Sequence, residues 1–194
     1  MLPRLNEMPT TSPLFVDMFA ELRARGFEGD LSATSSERIV QATDNSIYQV
    51  LPQAIAFPRT TEDLVRIARL TSDPRFAGMA RAARGGGTGT NGQLLTDGLV
   101  VDVSRHMNRI LEINAEERWV RVQTGVVKDQ LNAAAAPFGL FFPSELSTSN
   151  RATICAWSAP TRAAKVPAST ARPAIMCWSW RRRCSTTPYG VRAR

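Results

Sequence analysis

Every Asp and Glu of this 194-residue chain lies before Ile154, whereas residues 155–194 hold eight basic residues (Arg162, Lys165, Arg172, Arg181, Arg182, Arg183, Arg192 and Arg194) and no acid. That break constrains the fold more than any motif, because it separates two compositions that do not belong to one packed unit. The first 154 residues carry sixteen basic groups against seventeen acids, a net charge of −1. The whole-chain charge of +7 and pI near 10.3 are therefore a sum of two unlike parts. Read undivided, such a balance points to nucleic acid or a membrane surface as partner. All three cysteines (Cys155, Cys177, Cys184) and three of the four tryptophans also fall in the tail. A hydrophobic core is to be sought in residues 1–154.

Composition excludes several classes. With 43% hydrophobic and 21% charged residues, the chain is neither wholly disordered nor fibrous. No apolar run approaches the roughly 18 to 20 residues of a membrane span, and the N-terminus lacks a signal-peptide layout. A cytoplasmic location is expected. The cysteines form neither a CxxC pair nor a disulfide framework, and no metal site is expected.

Within residues 1–154, local patterns predict an α+β unit. Ser12 and Pro13 ahead of Leu14, Phe15, Met18, Phe19 and Leu22, with Gly26 as the stop, predict an amphipathic helix. Residues 27–53 are polar and weakly periodic, so a connecting segment is expected there. Ala54-Ile55-Ala56-Phe57 is a short buried strand ended by Pro58. Thr60 caps the next helix with Asp63 three residues on, and Leu64, Val65, Ile67, Ala68 and Leu70 supply its buried side. A short apolar stretch surrounds Met79. Leu99-Val100-Val101-Asp102-Val103 reads as a strand, followed by strands at 109–113 and 119–122 that a turn at 114–118 connects. Residues 126–136 read as a helix closed by Pro137 and Gly139. The last three strands are expected to pair consecutively, which favours α+β over a doubly wound sheet.

Between the Met79 stretch and the strand at Leu99, Arg84-Gly85-Gly86-Gly87-Thr88-Gly89-Thr90-Asn91-Gly92-Gln93 packs five glycines into ten residues. Backbone stripped of side chains approaches a ligand closely, and successive N–H groups form a concave site for anionic oxygens. Thr88, Thr90, Asn91 and Gln93 add neutral donors, so a pyrophosphate is the natural guest. The Gly-Lys-Ser/Thr ending of a Walker loop is missing, and a strand stands where a Rossmann helix would begin. On composition alone, a flexible glycine-rich turn explains the run equally well.

The surrounding words remove that tie. The runs Ala56-Phe57-Pro58-Arg59-Thr60-Thr61-Glu62-Asp63-Leu64, Arg84 to Gln93, and Gly98-Leu99-Val100-Val101-Asp102-Val103-Ser104-Arg105-His106-Met107-Asn108 together resemble the PCMH-type (vanillyl-alcohol-oxidase type) FAD-binding domain. Thr43-Asp44-Asn45-Ser46-Ile47-Tyr48-Gln49 and Pro143-Ser144-Glu145-Leu146-Ser147-Thr148-Ser149-Asn150-Arg151-Ala152-Thr153-Ile154 narrow the likeness to bacterial FAD-linked oxidases of the D-2-hydroxyglutarate and D-lactate dehydrogenase type. The resemblance implies an N-terminal helix and connecting segment at 1–50 and the first part of the FAD-binding domain at 51–154. It implies that Gly85, Gly86, Gly87, Thr88, Gly89, Thr90, Asn91 and Gln93 wrap the FAD pyrophosphate. Ser147, Ser149, Thr153 and Ile154 would add flavin contacts. Arg84 has two readings, a partner for the diphosphate or a structural arginine at a strand end. His106 is expected to be structural or solvent-facing rather than catalytic, and no catalytic residue is assigned. Such enzymes pass a hydride from a D-2-hydroxy acid to flavin N5 and hand the electrons to a downstream acceptor. The larger relatives carry an iron–sulfur region further on.

After Ile154 the likeness ends. In place of a Gly-Gly-Met type turn and a Thr-Asp-Ala-Ser-Gly-Gln-Gly stretch stand Cys155-Ala156-Trp157-Ser158-Ala159-Pro160 and a mixture of Arg, Ala, Pro and Trp. The single-codon residues Met and Trp allow a test. Ile175-Met176-Cys177-Trp178-Ser179-Trp180-Arg181-Arg182 can be written ATC ATG TGC TGG AGC TGG AGA CGG, and one nucleotide earlier this reads His-Val-Leu-Glu-Leu-Glu-Thr. Permitted codons for 160–175 likewise read Asp-Ala-Ser-Gly-Gln-Gly-Ser-Cys-Lys-Tyr-Gly-Lys-Thr-Arg-Asp. Loss of one nucleotide near codons 155–156 thus accounts for the tail, which is expected to be out of frame, disordered and no domain. The competing reading is a nucleic-acid arm in which Trp178, Trp180 and Arg181–Arg183 stack on bases and bind phosphates. The frame reading disfavours nucleic acid and implies weak or absent FAD binding without turnover.

Overall fold

A computed structural model describes residues 9–143 and 147–154, together with the backbone of a two-residue strand at 176–177. The remainder of the tail, with its expected disorder and its proposed arm, lies outside the described residues. The first helix, α1 (Pro13–Ala24), starts with Pro13 in its first turn, where a missing N–H costs nothing. It buries Phe15, Met18, Phe19 and Leu22, the apolar stripe read from the sequence.

Residues 27–53 hold two elements that the sequence reading missed, β1 (Asp30–Ser32) and α2 (Ser35–Gln41). The strand is three residues long and half-buried throughout. The buried face of α2 is polar, being Arg38 and Gln41 rather than a hydrophobic stripe. Arg38 donates from Nε to the Pro52 carbonyl and from Nη1 to the Pro9 carbonyl, both at 2.7 Å. Hydrogen bonding of that kind leaves no hydrophobic period to detect.

The expected strand is β2 (Ala54–Phe57), buried along its whole length, and α3 (Thr61–Leu70) follows it. Thr60 caps α3 by accepting from the Asp63 N–H at 3.1 Å. The inner side of α3 differs from expectation, since Val65 is 41% exposed and the buried residues are Asp63, Ile67 and Leu70. Asp63 tolerates complete burial because its carboxylate accepts from the Glu28 and Arg59 N–H groups and from Arg66.

Next come β3 (Arg81–Arg84), β4 (Leu99–Asp102), β5 (Ile110–Asn114), β6 (Trp119–Val122), α4 (Lys128–Ala135) and a 3-10 turn Ala136–Phe138 that ends at Gly139. The first sheet runs β1-β2-β4-β3, with β2, β4 and β3 parallel and β1 antiparallel to β2. The consecutive pairing expected of β4 with β5 is therefore corrected. Leu99 to Asp102 is buried on both faces, the mark of a central parallel strand, so β4 inserts between β2 and β3. The antiparallel hairpin of β5 and β6 belongs to a separate sheet. A short β7 (Met176–Cys177) pairs in parallel with β6. It lies along the edge of backbone donors and acceptors that β6 offers.

Two cores result. Beneath α1 and α3, Met18, Leu22, Leu70, Phe76 and Leu99 pack on one face of the first sheet. Beneath the hairpin and α4, Val120, Val122, Val126, Leu131, Leu140 and Ile154 form the second. Each such side chain contributes about 1.5–3 kcal/mol by leaving water. The site lies where the segments leaving these two cores meet.

Candidate functional site

In an open sheet, ligands gather at the carboxyl ends of the parallel strands, where successive chain segments diverge. Here the glycine loop leaves β3 at Arg84 and the turn 103–108 leaves β4 at Asp102. The two are tied together by the Val103 N–H donating to the Arg84 carbonyl at 3.0 Å. The returning segment 147–154 is laid beside them by the start of α4. The Lys128 N–H donates to the Ala152 carbonyl at 3.0 Å, and the Ile154 N–H donates to the Val126 carbonyl at 2.9 Å. Ser149 adds a hydrogen bond from Oγ to Asp129 at 3.0 Å.

Together these segments line a solvent-open depression of about 310 Å³. Its wall includes Gly86 of the glycine loop, Ser104 and Asn108 of the turn after β4, Gln130 of α4, and Asn150, Arg151 and Thr153 of the returning segment. Arg151 is the one charged residue in this lining; the polar side chains beside it are neutral.

Two glycines make the approach possible. A Cβ on Gly86 would sit 1.9 Å from the Arg151 carbonyl oxygen, and one on Gly85 would sit 2.1 Å from the Thr153 hydroxyl. A side chain on Gly86 would displace the backbone of Arg151, and one on Gly85 would displace the Thr153 side chain. Thr153 is wholly buried, and its hydroxyl has no hydrogen-bond partner among the described residues. A buried hydroxyl left in that state is costly, which favours a ligand supplying the missing bond.

The expected residues take distinct places. Gly85, Gly86 and Gly87 turn over the strand ends, Thr88 and Gly89 are buried, and Thr90, Asn91 and Gln93 are exposed on the far limb of the loop. There the Gln93 Oε1 accepts from the Asn91 N–H at 3.1 Å. Ser147 is exposed in a turn. Ile154 places its side chain in the second core. Arg84 is 8% exposed and donates to the Thr43 carbonyl at 2.7 Å and to the Gln41 carbonyl at 3.4 Å, so it holds the end of α2. Burial draws its pKa below the usual arginine value, Asp102 and Asp44 draw it back, and Arg151 adds a like charge that lowers it. It does not line the depression.

His106 is likewise absent from the lining, and its Nε2 lies 2.6 Å from Asp30. Ser104, Asn108, Gln130, Asn150 and Arg151 were not singled out as site residues by sequence reasoning. Four of them stand inside the runs that carried the resemblance, and Gln130 had no signal because its place depends on how α4 docks.

The FAD binding domain family matches residues 52–161, more than half of the chain. The chain belongs to this family, and FAD is its cofactor. Among relatives, the D-2-hydroxyglutarate dehydrogenase of Pseudomonas putida strain KT2440 is 60% identical over 150 residues, 76% of this chain and 15% of that protein. The enzyme of the same name from Escherichia coli strain K12 is 53% identical over 154 residues, 79% of this chain and again 15% of that protein. The chain thus spans about a seventh of the length of these curated relatives. Among solved structures, an alkyldihydroxyacetonephosphate synthase superposes with a TM-score of 0.67 at 17% identity, covering 80% of this chain and 31% of the other, a likeness of fold. The 6-hydroxy-D-nicotine oxidase of Arthrobacter nicotinovorans gives 0.51 at 27% identity over 59% of this chain and 25% of the other.

Proposed function

We propose that this chain is the cofactor-holding part of a flavin-dependent oxidoreductase acting on a D-2-hydroxy acid of the D-2-hydroxyglutarate or D-lactate type. The observation that carries the reading is the glycine cradle at the carboxyl edge of β3 and β4, faced by the unpaired hydroxyl of Thr153. The family match and the identity to dehydrogenases of that name support the substrate class.

The residues fit the cofactor. The Cβ-free backbone at Gly85 and Gly86 lets the returning segment close on the glycine loop, and the neutral side chains of Ser104, Asn108, Gln130 and Asn150 suit phosphate and hydroxyl oxygens. When bound, FAD supplies the two-electron redox chemistry. The work of Gly85 to Thr90 and of Ser149 to Thr153 is to bind and orient it. Arg84 fixes the root of the loop against α2. The electron acceptor and the groups that select the acid belong to the rest of the enzyme, and a cytoplasmic setting suits the reading. Residues 155–194 are read as message translated out of frame.

The test is direct. Purified chain is expected to bind FAD weakly, by quenching of flavin fluorescence, and to show no dye-linked oxidation of D-2-hydroxyglutarate or D-lactate. Stoichiometric flavin together with turnover would contradict the incompleteness of the site. Sequencing the DNA past codon 154 checks the frame, and an intact frame would remove that part.

A further inference from the structure

We propose that Arg151, and not Arg84, is the cation that meets the anionic phosphate group of the cofactor, with the Thr153 hydroxyl beside it. The inference rests on the flavin reading above and assigns the charge within that site.

Among the described residues, groups that could neutralise a phosphate at this edge of the sheet include the arginine at the root of the glycine loop, the N-terminus of α4, and the arginine of the returning segment. The first is already engaged. The Arg84 guanidinium donates to the Thr43 and Gln41 carbonyls, is nearly buried, and shares its charge with Asp102 and Asp44. Moving it to a ligand would strand two carbonyls and uncover two carboxylates.

The second candidate is also engaged. The first amides of α4 are spent on protein, with the Lys128 N–H on the Ala152 carbonyl and the Asp129 N–H on the Ser149 carbonyl. These bonds hold the returning segment in place. They leave the helix start little to offer an anion, despite its favourable dipole.

Arg151 has neither tie. Its side chain is exposed, it lines the depression, and among the described residues it makes no ion pair. Its own carbonyl lies against Gly86, so the guanidinium is rooted where the glycine loop bends closest. Two residues on, Thr153 aims an unpaired, fully buried hydroxyl at Gly85. One free cation and one unsatisfied hydroxyl flanking a Cβ-free backbone form the donor set a phosphate requires, since planar guanidinium groups bind phosphate oxygens in pairs.

The experiment titrates the whole chain with FAD and with riboflavin, which lacks phosphate, following flavin fluorescence. For Arg151→Gln, the expected result is a loss of FAD affinity of about ten- to a hundredfold, with riboflavin affinity changed less than about twofold. Arg151→Lys should recover part of the loss. Inorganic pyrophosphate should displace FAD from the wild-type chain but not riboflavin. Salt should erode the wild-type preference for FAD and leave that of Arg151→Gln nearly level.

Arg151→Gln binding FAD as the wild type does would overturn the assignment and leave the flavin reading standing. So would an Arg84→Gln chain that keeps the wild-type melting temperature yet loses FAD affinity while riboflavin is unaffected. Absence of any FAD binding by the wild-type chain at about 1 mM, the weak end of useful affinity, would overturn the assignment for this chain, and the flavin reading would then be tested on the chain with its frame restored.

Discussion

Asp30 and His106 lie 76 residues apart in sequence and 2.6 Å apart in the structure, with Arg59 completing the cluster at 3.3 Å. The hydrogen bond from His106 is the largest influence holding the Asp30 carboxyl below its ordinary range; burial opposes it, and the charges of His106, Arg59 and Arg105 add to it. A depressed carboxyl pKa gives stability that is fully present above the unfolded value of 3.8 and is lost as pH falls through the lower folded value. Because the Asp30 side chain is 45% exposed, the amount is at most about 1 kcal/mol. Asp30→Asn is expected to flatten the fall in stability below about pH 4, read by urea unfolding. An unchanged pH profile would count against the pairing. The sequence showed His106 only as a lone histidine after a strand. Its partner lies on β1, an element too short to announce itself.

At the scale of elements, legibility followed the source of each element's stability. Helix α3 was visible because Thr60 and Asp63 form a local cap. Its buried face is not the apolar stripe alone, because Asp63 is taken inward by partners from distant segments, the Glu28 N–H at 2.9 Å among them. Asp63→Ala leaves two backbone donors and Arg66 without their acceptor in a buried site, so a loss of about 2–4 kcal/mol is expected by chemical denaturation. Asp63→Asn should retain part of it. A loss below about 0.5 kcal/mol, the level of an ordinary surface change, would sink this account. Helix α2 escaped notice for the opposite reason, since Arg38 and Gln41 hold it by hydrogen bonds that leave no trace in hydropathy. The Gln41 amide donates to Asp102 at 2.7 Å, which links α2 to the strand end that carries the site.

For the whole molecule, the two sheets are unequally finished. The first has four strands closed over a core of large side chains, whereas the second has a hairpin and a two-residue β7 at the edge of β6. On the proposed earlier reading frame, the run from residue 175 would read His-Val-Leu-Glu-Leu, a strand-like pattern. Restoring one nucleotide near codon 155 is therefore expected to raise the melting temperature by about 5 °C or more and to tighten FAD binding. Thermal melts with flavin titration check this, and equal values for the two chains would count against the frame account.

The family, the glycine loop and the strands that frame it were legible in the amino-acid order alone, because these depend on local chemistry and on several separated motifs in order. Only the tertiary structure decided that β4 lies between β2 and β3, that Arg84 faces α2, and that Arg151 and Thr153 close on Gly86 and Gly85. The physical reason is reach. Caps, turns and hydrophobic periods are written within a few residues, whereas the partner of a charge or the neighbour of a central strand is selected by packing across the whole fold.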